Sequence, residues 1–250
     1  MELEDGQSDI LRKALAMRGL SGVSPPSDPS AFELFLEREL GLNAAAFHGI
    51  PAYAPAVELP AGLERHAMPY PWGSVNIWTL QTPQGTLAVD TGCSPAQLRR
   101  ALGGRRPSLL LLTHSHSDHA GGLAAAHCPV YGSGRPPLPG QWGDCTLRMA
   151  ELAGHTPDSC GFVLTRGGRT LFFTGDALFA GSIGNAPEEP FRVVPRLRRI
   201  LSELPPETLL CPGHGPATSR RLEERNNPFL AGAGRPLTAE DDWGENPGGE

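Results

Sequence analysis

The sequence contains almost no lysine. Its 21 cationic residues are twenty arginines and one lysine, Lys13, so anion recognition falls almost entirely to arginine side chains or to a metal. Acidic residues outnumber these cations, and the formal net charge of -6 excludes the basic surface that nucleic-acid and membrane-surface binders use. We therefore expect a small-molecule partner, with no nucleic acid and no membrane.

Paired cysteines and long apolar runs are also absent. The five cysteines are an odd number and form no Cys-x-x-Cys pair, which favours free thiols in a reducing compartment over a disulfide framework. No apolar run approaches the ~20 residues of a membrane-spanning helix, and no basic segment precedes an apolar stretch near residue 1. We therefore expect a cytoplasmic protein, and no pattern indicates its oligomeric state.

The texture of the chain divides it into three regions. Residues 1–62 contain two helical patterns, the second with Asp28 as predicted N-cap and Pro29 behind it, and we interpret them as a helical N-terminal extension. A dimerisation arm and a substrate lid are the alternatives. Residues 63–230 are short apolar strands separated by glycine and proline and form the predicted main domain. Residues 231–250 are rich in glycine, proline and acids, which predicts a disordered tail.

Within the main domain, apolar periodicity predicts individual elements. Residues 74–80 and 86–90 predict a hairpin whose turn is Thr82-Pro83-Gln84-Gly85. Further strands are predicted at 108–112, 129–131, 145–152, 161–165, 170–174 and 208–211. Helices are predicted at 95–102, 119–126, 191–204 and 216–226.

One short stretch concentrates metal-binding residue types. His114-Ser115-His116-Ser117-Asp118-His119 follows the apolar run 109–112 and precedes Gly121-Gly122, so four donors lie where a buried strand gives way to a turn. Residues i and i+2 of an extended segment point the same way, so His114 and His116 can reach one cation while Asp118 and His119 face a second. The alternative is a polar loop with solvated histidines.

Three more donors follow apolar runs further along the chain. They are His155 in Gly154-His155-Thr156-Pro157, Asp176 in Thr174-Gly175-Asp176 and His214 in Pro212-Gly213-His214-Gly215. Each stands beside glycine, which permits close backbone approach. These donors predict a site with two ions. We interpret the remaining histidines, His48, His66 and His127, as structural or solvated.

These motifs, with Asp90 in Val89-Asp90-Thr91-Gly92, resemble the metallo-β-lactamase superfamily in order and spacing over roughly residues 63–230. The resemblance implies an α/β fold, the four-layer αββα sandwich with two mixed sheets face to face. It also implies two divalent ions, zinc first with iron or manganese as alternatives. One ion would be held by His114, His116 and His155, and the other by Asp118, His119 and His214. Asp176 would bridge them, and Asp90 would orient the ligand loop from behind.

Within the superfamily, two stretches resemble glyoxalase II and its short bacterial relatives. They are the loop from Gly175 to Gly184 and Asn227-Pro228-Phe229. This resemblance implies an enzyme that cleaves a thioester, such as an S-acylglutathione, by a metal-bound hydroxide, with Asp118 and Asp176 as catalytic carboxylates. The segment after His214 is too short for the helical domain that binds glutathione in full-length glyoxalase II, so the resemblance leaves the thiol open.

Three alternatives accompany the thioesterase. The first is a sulfur dioxygenase of the same fold, with one iron on His114, His155 and Asp176. The second is a lactone or phosphodiester hydrolase. The third is a metal-bearing interaction protein whose N-terminal helices bind a partner. β-Lactam hydrolysis is not expected, because the β-lactamases of this fold lack a bridging aspartate in such a Thr-Gly-Asp turn.

Overall fold

The structure, a computed structural model, describes residues 3–231. Apart from Ala231, the predicted tail lies outside the described residues. The α-helices are α1 (Asp5–Met17), α2 (Pro29–Leu34), α3 (Ala44–Gly49), α4 (Pro95–Ala101), α5 (Ser117–Ala120), α6 (Val193–Ser202) and α7 (Arg220–Asn226). The strands of the first half are β1 (Leu63–Tyr70), β2 (Gly73–Thr82), β3 (Gly85–Val89), β4 (Leu109–Leu111), β5 (Val130–Tyr131) and β6 (Gln141–Trp142). Those of the second half are β7 (Cys145–Glu151), β8 (Cys160–Arg166), β9 (Arg169–Gly175), β10 (Leu178–Phe179), β11 (Ser182–Ile183), β12 (Leu209–Pro212) and β13 (Thr218–Ser219).

The strands form two mixed sheets and a small hairpin. The first sheet has the order β1-β2-β3-β4-β5, with β4 parallel to both of its neighbours. The second has the order β13-β12-β9-β8-β7-β6, in which β12 and β9 are parallel. Strands β10 and β11 pair only with each other.

Alternating side chains of both sheets fill the space between them. Trp78, Val89 and Leu111 of the first sheet belong to one buried cluster with Phe162 and Phe173 of the second. The rings of Trp78 and Phe173 meet edge to face with centroids 6.3 Å apart, and the Trp78 indole donates to the Pro212 carbonyl at 2.9 Å. Burial of these faces joins the sheets into one core.

Helices cover the outer face of each sheet. Ile77 and Leu110 of the first sheet pack with Leu98 of α4. Val163 and Phe172 of the second sheet share a buried cluster with α6 and with the helices before residue 62. The order helix, sheet, sheet, helix confirms the predicted αββα sandwich.

The N-terminal extension is part of the outer helical layer. Asp28 accepts a hydrogen bond from the Ala31 amide at 2.9 Å, which confirms the predicted cap of α2. Phe32 and Phe47 are fully buried, and both belong to the cluster that covers the second sheet. Residues 1–62 therefore contribute apolar side chains to the core of the main domain.

Some element predictions were wrong in detail. The hairpin of β2 and β3 is confirmed, with Thr82 paired to Gly85. Instead of one helix over 119–126, the chain forms the single turn α5 and a 3-10 turn at Leu123–Ala125, because Gly121 and Gly122 lie between them. Strand β1 was not predicted, since it is an edge strand in which only Leu63 and Met68 are buried. No described helix has the length and apolar character required to cross a membrane.

Candidate metal centre

The predicted donors meet at one edge of the two sheets. His114 follows β4, Asp176 directly follows β9, and His214 lies two residues beyond β12. Because β9 and β12 are parallel, their carboxyl ends reach the same edge, where the Gly213 amide donates to the Gly175 carbonyl at 2.9 Å. His155 lies in the connection between β7 and β8. The fold therefore gathers donors that are far apart in sequence.

All seven predicted ligands belong to three overlapping groups whose donor atoms lie within 4.8 Å of one another. The groups are His114, His116 and His155; His114, His119 and Asp176; and Asp118, His119 and His214. In the first group, His116 Nδ1 lies 3.0 Å from His155 Nε2. Asp176 Oδ2 lies 3.6 Å from His155 Nε2 and 3.2 Å from His214 Nε2, so this carboxylate stands between the groups.

Spacing in the group around His119 matches a single ion. His119 Nε2 lies 3.4 Å from His214 Nε2, which is itself 3.4 Å from Asp118 Oδ2. Tetrahedral zinc bonds of about 2.0–2.1 Å place the ligand atoms of one ion roughly 3.3 Å apart. The donors therefore lie at the separations that one zinc-sized ion requires.

Hydrogen bonds behind the imidazoles turn their Nε2 atoms toward the cluster. The Nδ1 atom of His119 donates to Asp90 at 2.7 Å, that of His155 to the Asn185 carbonyl at 2.9 Å, and that of His214 to the Ser74 carbonyl at 2.7 Å. Such partners hold a metal-binding histidine in the required tautomer and orientation. Each of these three rings thus presents its Nε2 atom to the cluster.

Asp90 lies directly behind the loop that carries His114 to His119. Its carboxylate accepts from the Thr113 amide at 2.8 Å, from the Thr113 hydroxyl and from His119. The Thr113 hydroxyl also lies 3.1 Å from His114 Nδ1. Asp90 has a φ of 60°, a strained conformation outside glycine that is typical of functional sites. This one buried acid therefore contacts both ends of the ligand loop.

Buried charge at the centre fits a bound cation. Asp176 and His119 are buried, and among residues 3–231 no lysine or arginine forms an ion pair with Asp90, Asp118 or Asp176. In the same range His114 Nε2 and Asp176 Oδ1 are buried and form no hydrogen bond. Buried carboxylates are normally paired or bind metal, and these atoms face the cluster. The donor set fits divalent ions.

The carboxylates and the histidines shift one another's pKa. Burial opposes ionisation of Asp176, but the neighbouring His119 and His214 hold its pKa well below the ordinary value. Burial likewise lowers the pKa of His214, but hydrogen bonds to Asp118 and Asp176 outweigh it and raise this pKa to about 10. His114 behaves differently, because burial and then the charge of His119 lower its pKa to about 4. Without metal, His214 is therefore protonated at pH 7 and His114 is neutral.

Zinc binding at pH 7 is expected to release about two protons, one from His119 and one from His214. The pKa of His119 is also raised well above its ordinary value, since Asp176 and Asp90 outweigh burial, and both imidazoles must lose the Nε2 proton to bind metal. Both pKa values are raised, so affinity falls as the pH drops below neutrality and rises toward pH 10. Calorimetry in buffers of different ionisation enthalpy measures the number of protons released when zinc binds. Release of no proton would contradict this arrangement.

Gly213→Ala is expected to lower zinc affinity about tenfold or more. A Cβ at this position would lie under 3.0 Å from Asp176 Oδ1 and from Cε1 of His119, so the bridging carboxylate or the ring must move. Competition with a chromogenic chelator measures the affinity. Gly140→Ala is the control, since its Cβ meets nothing within 4 Å. Equal affinities of the two variants would show that Asp176 does not need its present position.

Several residues at the centre escaped the sequence analysis. Tyr70 at the end of β1 has its ring 5.4 Å from the His214 ring, and Phe179 of β10 approaches the same ring at 5.8 Å. Exposed Trp72 stacks edge to face on Tyr70. Asn185 acts through its backbone carbonyl. The only signal for these residues was proximity in sequence to a hairpin turn or to Asp176.

The three histidines interpreted as structural or solvated lie outside the ligand groups. His48 bonds to exposed Glu33 at 2.5 Å, and His66 lies 2.9 Å from the Thr79 hydroxyl. His127 has a φ of 47° in the turn before β5. None of them belongs to a metal-ligating group of the described chain.

Comparison with known proteins gives the family. A family model described as the metallo-beta-lactamase superfamily matches residues 70–126 and 147–216, which together cover half of the chain and contain all seven donors. A hydroxyacylglutathione hydrolase of Xylella fastidiosa (strain M23) is 31% identical over 202 residues, 68% of this chain and 78% of the relative. The hydroxyacylglutathione hydrolase of Aeromonas salmonicida (strain A449) is 32% identical over 157 residues, and the match spans only 60% of its length.

Solved structures agree with this assignment. The protein TTHA1623, crystallised in a di-iron-bound form, is 31% identical with a TM-score of 0.53, and the match covers 67% of this chain and 100% of that one. The BLEG-1 B3 metallo-beta-lactamase is 24% identical with a TM-score of 0.56, and the match covers 68% of this chain and 100% of that one. At this identity the likeness shows the fold alone. By its sequence match, its layered architecture and its gathered donors, the chain belongs to the metallo-β-lactamase superfamily of metallo-hydrolases.

Proposed function

We propose that the chain hydrolyses a thioester, an S-acylglutathione or a related acyl thiol, with two divalent ions of which zinc is the first candidate. The observation that carries the proposal is the position of Asp176. It directly follows β9 in a stretch that resembles glyoxalase II, and its oxygens lie 3.2 Å from both His119 Nε2 and His214 Nε2. The curated relatives named hydroxyacylglutathione hydrolase support the same substrate class.

In this proposal two sets of three residues would each hold one ion. His114, His116 and His155 would hold the first, Asp118, His119 and His214 the second, and Asp176 both. When bound, such a pair lowers the pKa of water to about 7 and polarises a carbonyl group. The membership of the chain implies a binuclear centre, and one solved relative is di-iron-bound, so iron and manganese stay candidates.

Two carboxylates have different roles in the proposed reaction: Asp118 moves a proton and Asp90 orients a histidine. Asp118 is ionised, because His214 and His119 lower its pKa although burial raises it. In the proposed reaction this carboxylate would take the proton of the attacking water and deliver it to the departing sulfur as the C–S bond breaks. Asp90 accepts a hydrogen bond from His119 Nδ1, which keeps the proton on that nitrogen and holds the ring in its orientation during turnover.

The leaving group favours thioesters. A thiolate, with a parent pKa of ~8.5, departs without a strong acid, whereas an alkoxide or an amine needs protonation. Burial, with the charges of Asp118 and Asp176, raises the pKa of Tyr70, so the phenol beside the His214 ring is a weak proton donor. Of these substrates, a thioester therefore needs the least help from a proton donor in this site.

The test is metal analysis of protein purified without chelator, followed by turnover of S-lactoylglutathione, a lactone, a phosphodiester and a β-lactam. We expect two ions per chain and a kcat/KM for the thioester at least about tenfold above that for each other substrate. A single iron with sulfur-dependent oxygen uptake would replace this proposal with the dioxygenase. Two bound metals without any hydrolysis would favour the interaction protein.

A further inference from the structure

Helix α1 brings the single lysine of the chain to the rim of the metal centre. Lys13 Nζ donates to the Ser182 hydroxyl at 3.2 Å and lies 5.8 Å from the centroid of the Phe179 ring. That ring in turn contacts His214. Only 8% of Lys13 is exposed, and Asp9 on the previous turn of the helix pairs with it at 2.6 Å. An ammonium group is therefore held beside the β10–β11 hairpin.

The neighbouring Arg12 contacts Asn185, the residue whose backbone holds the His155 ring. Its Nη2 atom donates to the side chain of Asn185 at 3.2 Å and to Asp9 at 2.6 Å. The backbone carbonyl of the same Asn185 holds His155. Arg12 is 59% exposed as a side chain, and a guanidinium carries five N–H donors, so donors are left for a further partner.

A cavity of about 310 Å³ lies between α1 and the segment after β11. Its walls include Arg12, Lys13 and Asn185, and the rest of the lining is apolar, from Ala16, Met17, Ala186, Pro187 and Pro190. This volume is at the lower end of small-molecule sites. A cavity with two cations at an apolar wall fits a ligand that has an anionic end and a short apolar body.

The local charge balance favours an anion. Arg12 and Lys13 share one carboxylate, that of Asp9, so the three groups keep one positive charge. The acids of the adjacent segment do not line the cavity, and Glu189 there is paired with Arg196 at 2.9 Å. A guanidinium binds a carboxylate through two parallel hydrogen bonds, which adds direction to the attraction.

We infer that this cavity binds a carboxylate on the thioester substrate, with Arg12 as its hydrogen-bond donor and Lys13 as the second cation. The inference rests on the proposed function and names its specificity. The N-terminal extension then selects the substrate, because the catalytic donors lie in the main domain and the cations lie on α1.

The kinetic test uses thioesters that differ only in charge. The substrates are S-acetyl-6-mercaptohexanoate and its neutral primary amide, with S-methyl thiosuccinate and its amide as a second pair that carries the carboxylate on the acyl side. We expect the metal-loaded full chain to prefer the carboxylate by about tenfold in kcat/KM in at least one pair, through KM. Arg12→Gln should reduce this preference to about twofold or less, by raising KM for the carboxylate substrate more than KM for the amide.

The control is Arg221→Gln. Like Arg12, Arg221 is an exposed arginine in an ion pair, here with Glu207 at 2.5 Å, but it does not line the cavity. It should keep the full preference. A wild-type chain that hydrolyses charged and neutral thioesters equally well, or a preference that survives Arg12→Gln, would overturn the inference.

Binding without turnover separates this inference from the proposed function. The probe is the thioether 6-(ethylthio)hexanoate, which cannot be hydrolysed, titrated calorimetrically into the metal-loaded chain and the two variants. Arg12→Gln should weaken its binding about tenfold and Arg221→Gln should not. If no thioester is hydrolysed, the proposed function fails, but this titration still shows whether the cavity binds a carboxylate. If Arg12→Gln binds the thioether as tightly as the wild-type chain does, the carboxylate site is rejected.

Discussion

Asp176→Asn is expected to lower kcat for thioester hydrolysis by roughly 1,000-fold, because it removes the carboxylate that lies between His119, His155 and His214. The amide keeps the shape of the side chain but loses the charge. It can no longer balance two cations in a buried site where, within residues 3–231, no arginine or lysine pairs with this position. The number of bound metals should fall from two to one or none.

Plasma emission analysis of the metal and steady-state kinetics check this result together. Asp144→Asn is the control, because Asp144 is a half-exposed carboxylate paired with Arg166 at 2.7 Å outside the ligand groups. It should keep both metals and the full rate. Two metals and an unchanged kcat in Asp176→Asn would remove this carboxylate from the centre.

Glu223→Ala is expected to lower the free energy of unfolding by about 3–5 kcal/mol. Glu223 of α7 is fully buried and accepts hydrogen bonds from two distant segments, through Tyr53 Oη at 2.6 Å and the Gly181 amide at 2.8 Å. It also accepts from two neighbours in sequence, Thr218 Oγ1 at 2.7 Å and Asn227 Nδ2 at 2.9 Å. Removal of the carboxylate leaves these donors without their acceptor in a site that excludes water. The N-terminal extension, the β10–β11 turn and the C-terminal segment lose a common anchor.

Urea unfolding of the metal-free protein measures this change, since bound metal would add its own stabilisation. The control is the adjacent residue: Glu224→Ala removes only an i,i+4 ion pair with Arg220 and should cost about 0.3–0.5 kcal/mol. A loss of similar size in both variants would mean that the buried acceptor contributes no more than a surface ion pair.

The candidate metal donors could be predicted from the sequence because each stands in a local pattern. Four donors within six residues and three single donors beside glycines all follow apolar runs, and a run that fills a buried strand must end at an edge of the sheet. The family resemblance then predicted the sandwich that the structure confirms. What failed were elements without a local pattern, such as the edge strand β1 and the short β10–β11 hairpin.

The sequence by itself determined the donor types, their order and the strands that present them, because metal preference and strand periodicity are properties of neighbouring residues. Only the tertiary structure decided which nitrogen of each histidine faces the centre, since that depends on distant partners such as Asp90, Ser74 and Asn185. It also decided the place of Lys13. Packing of α1 on the second sheet, which no periodicity specifies, carries this lysine to the rim of the metal centre.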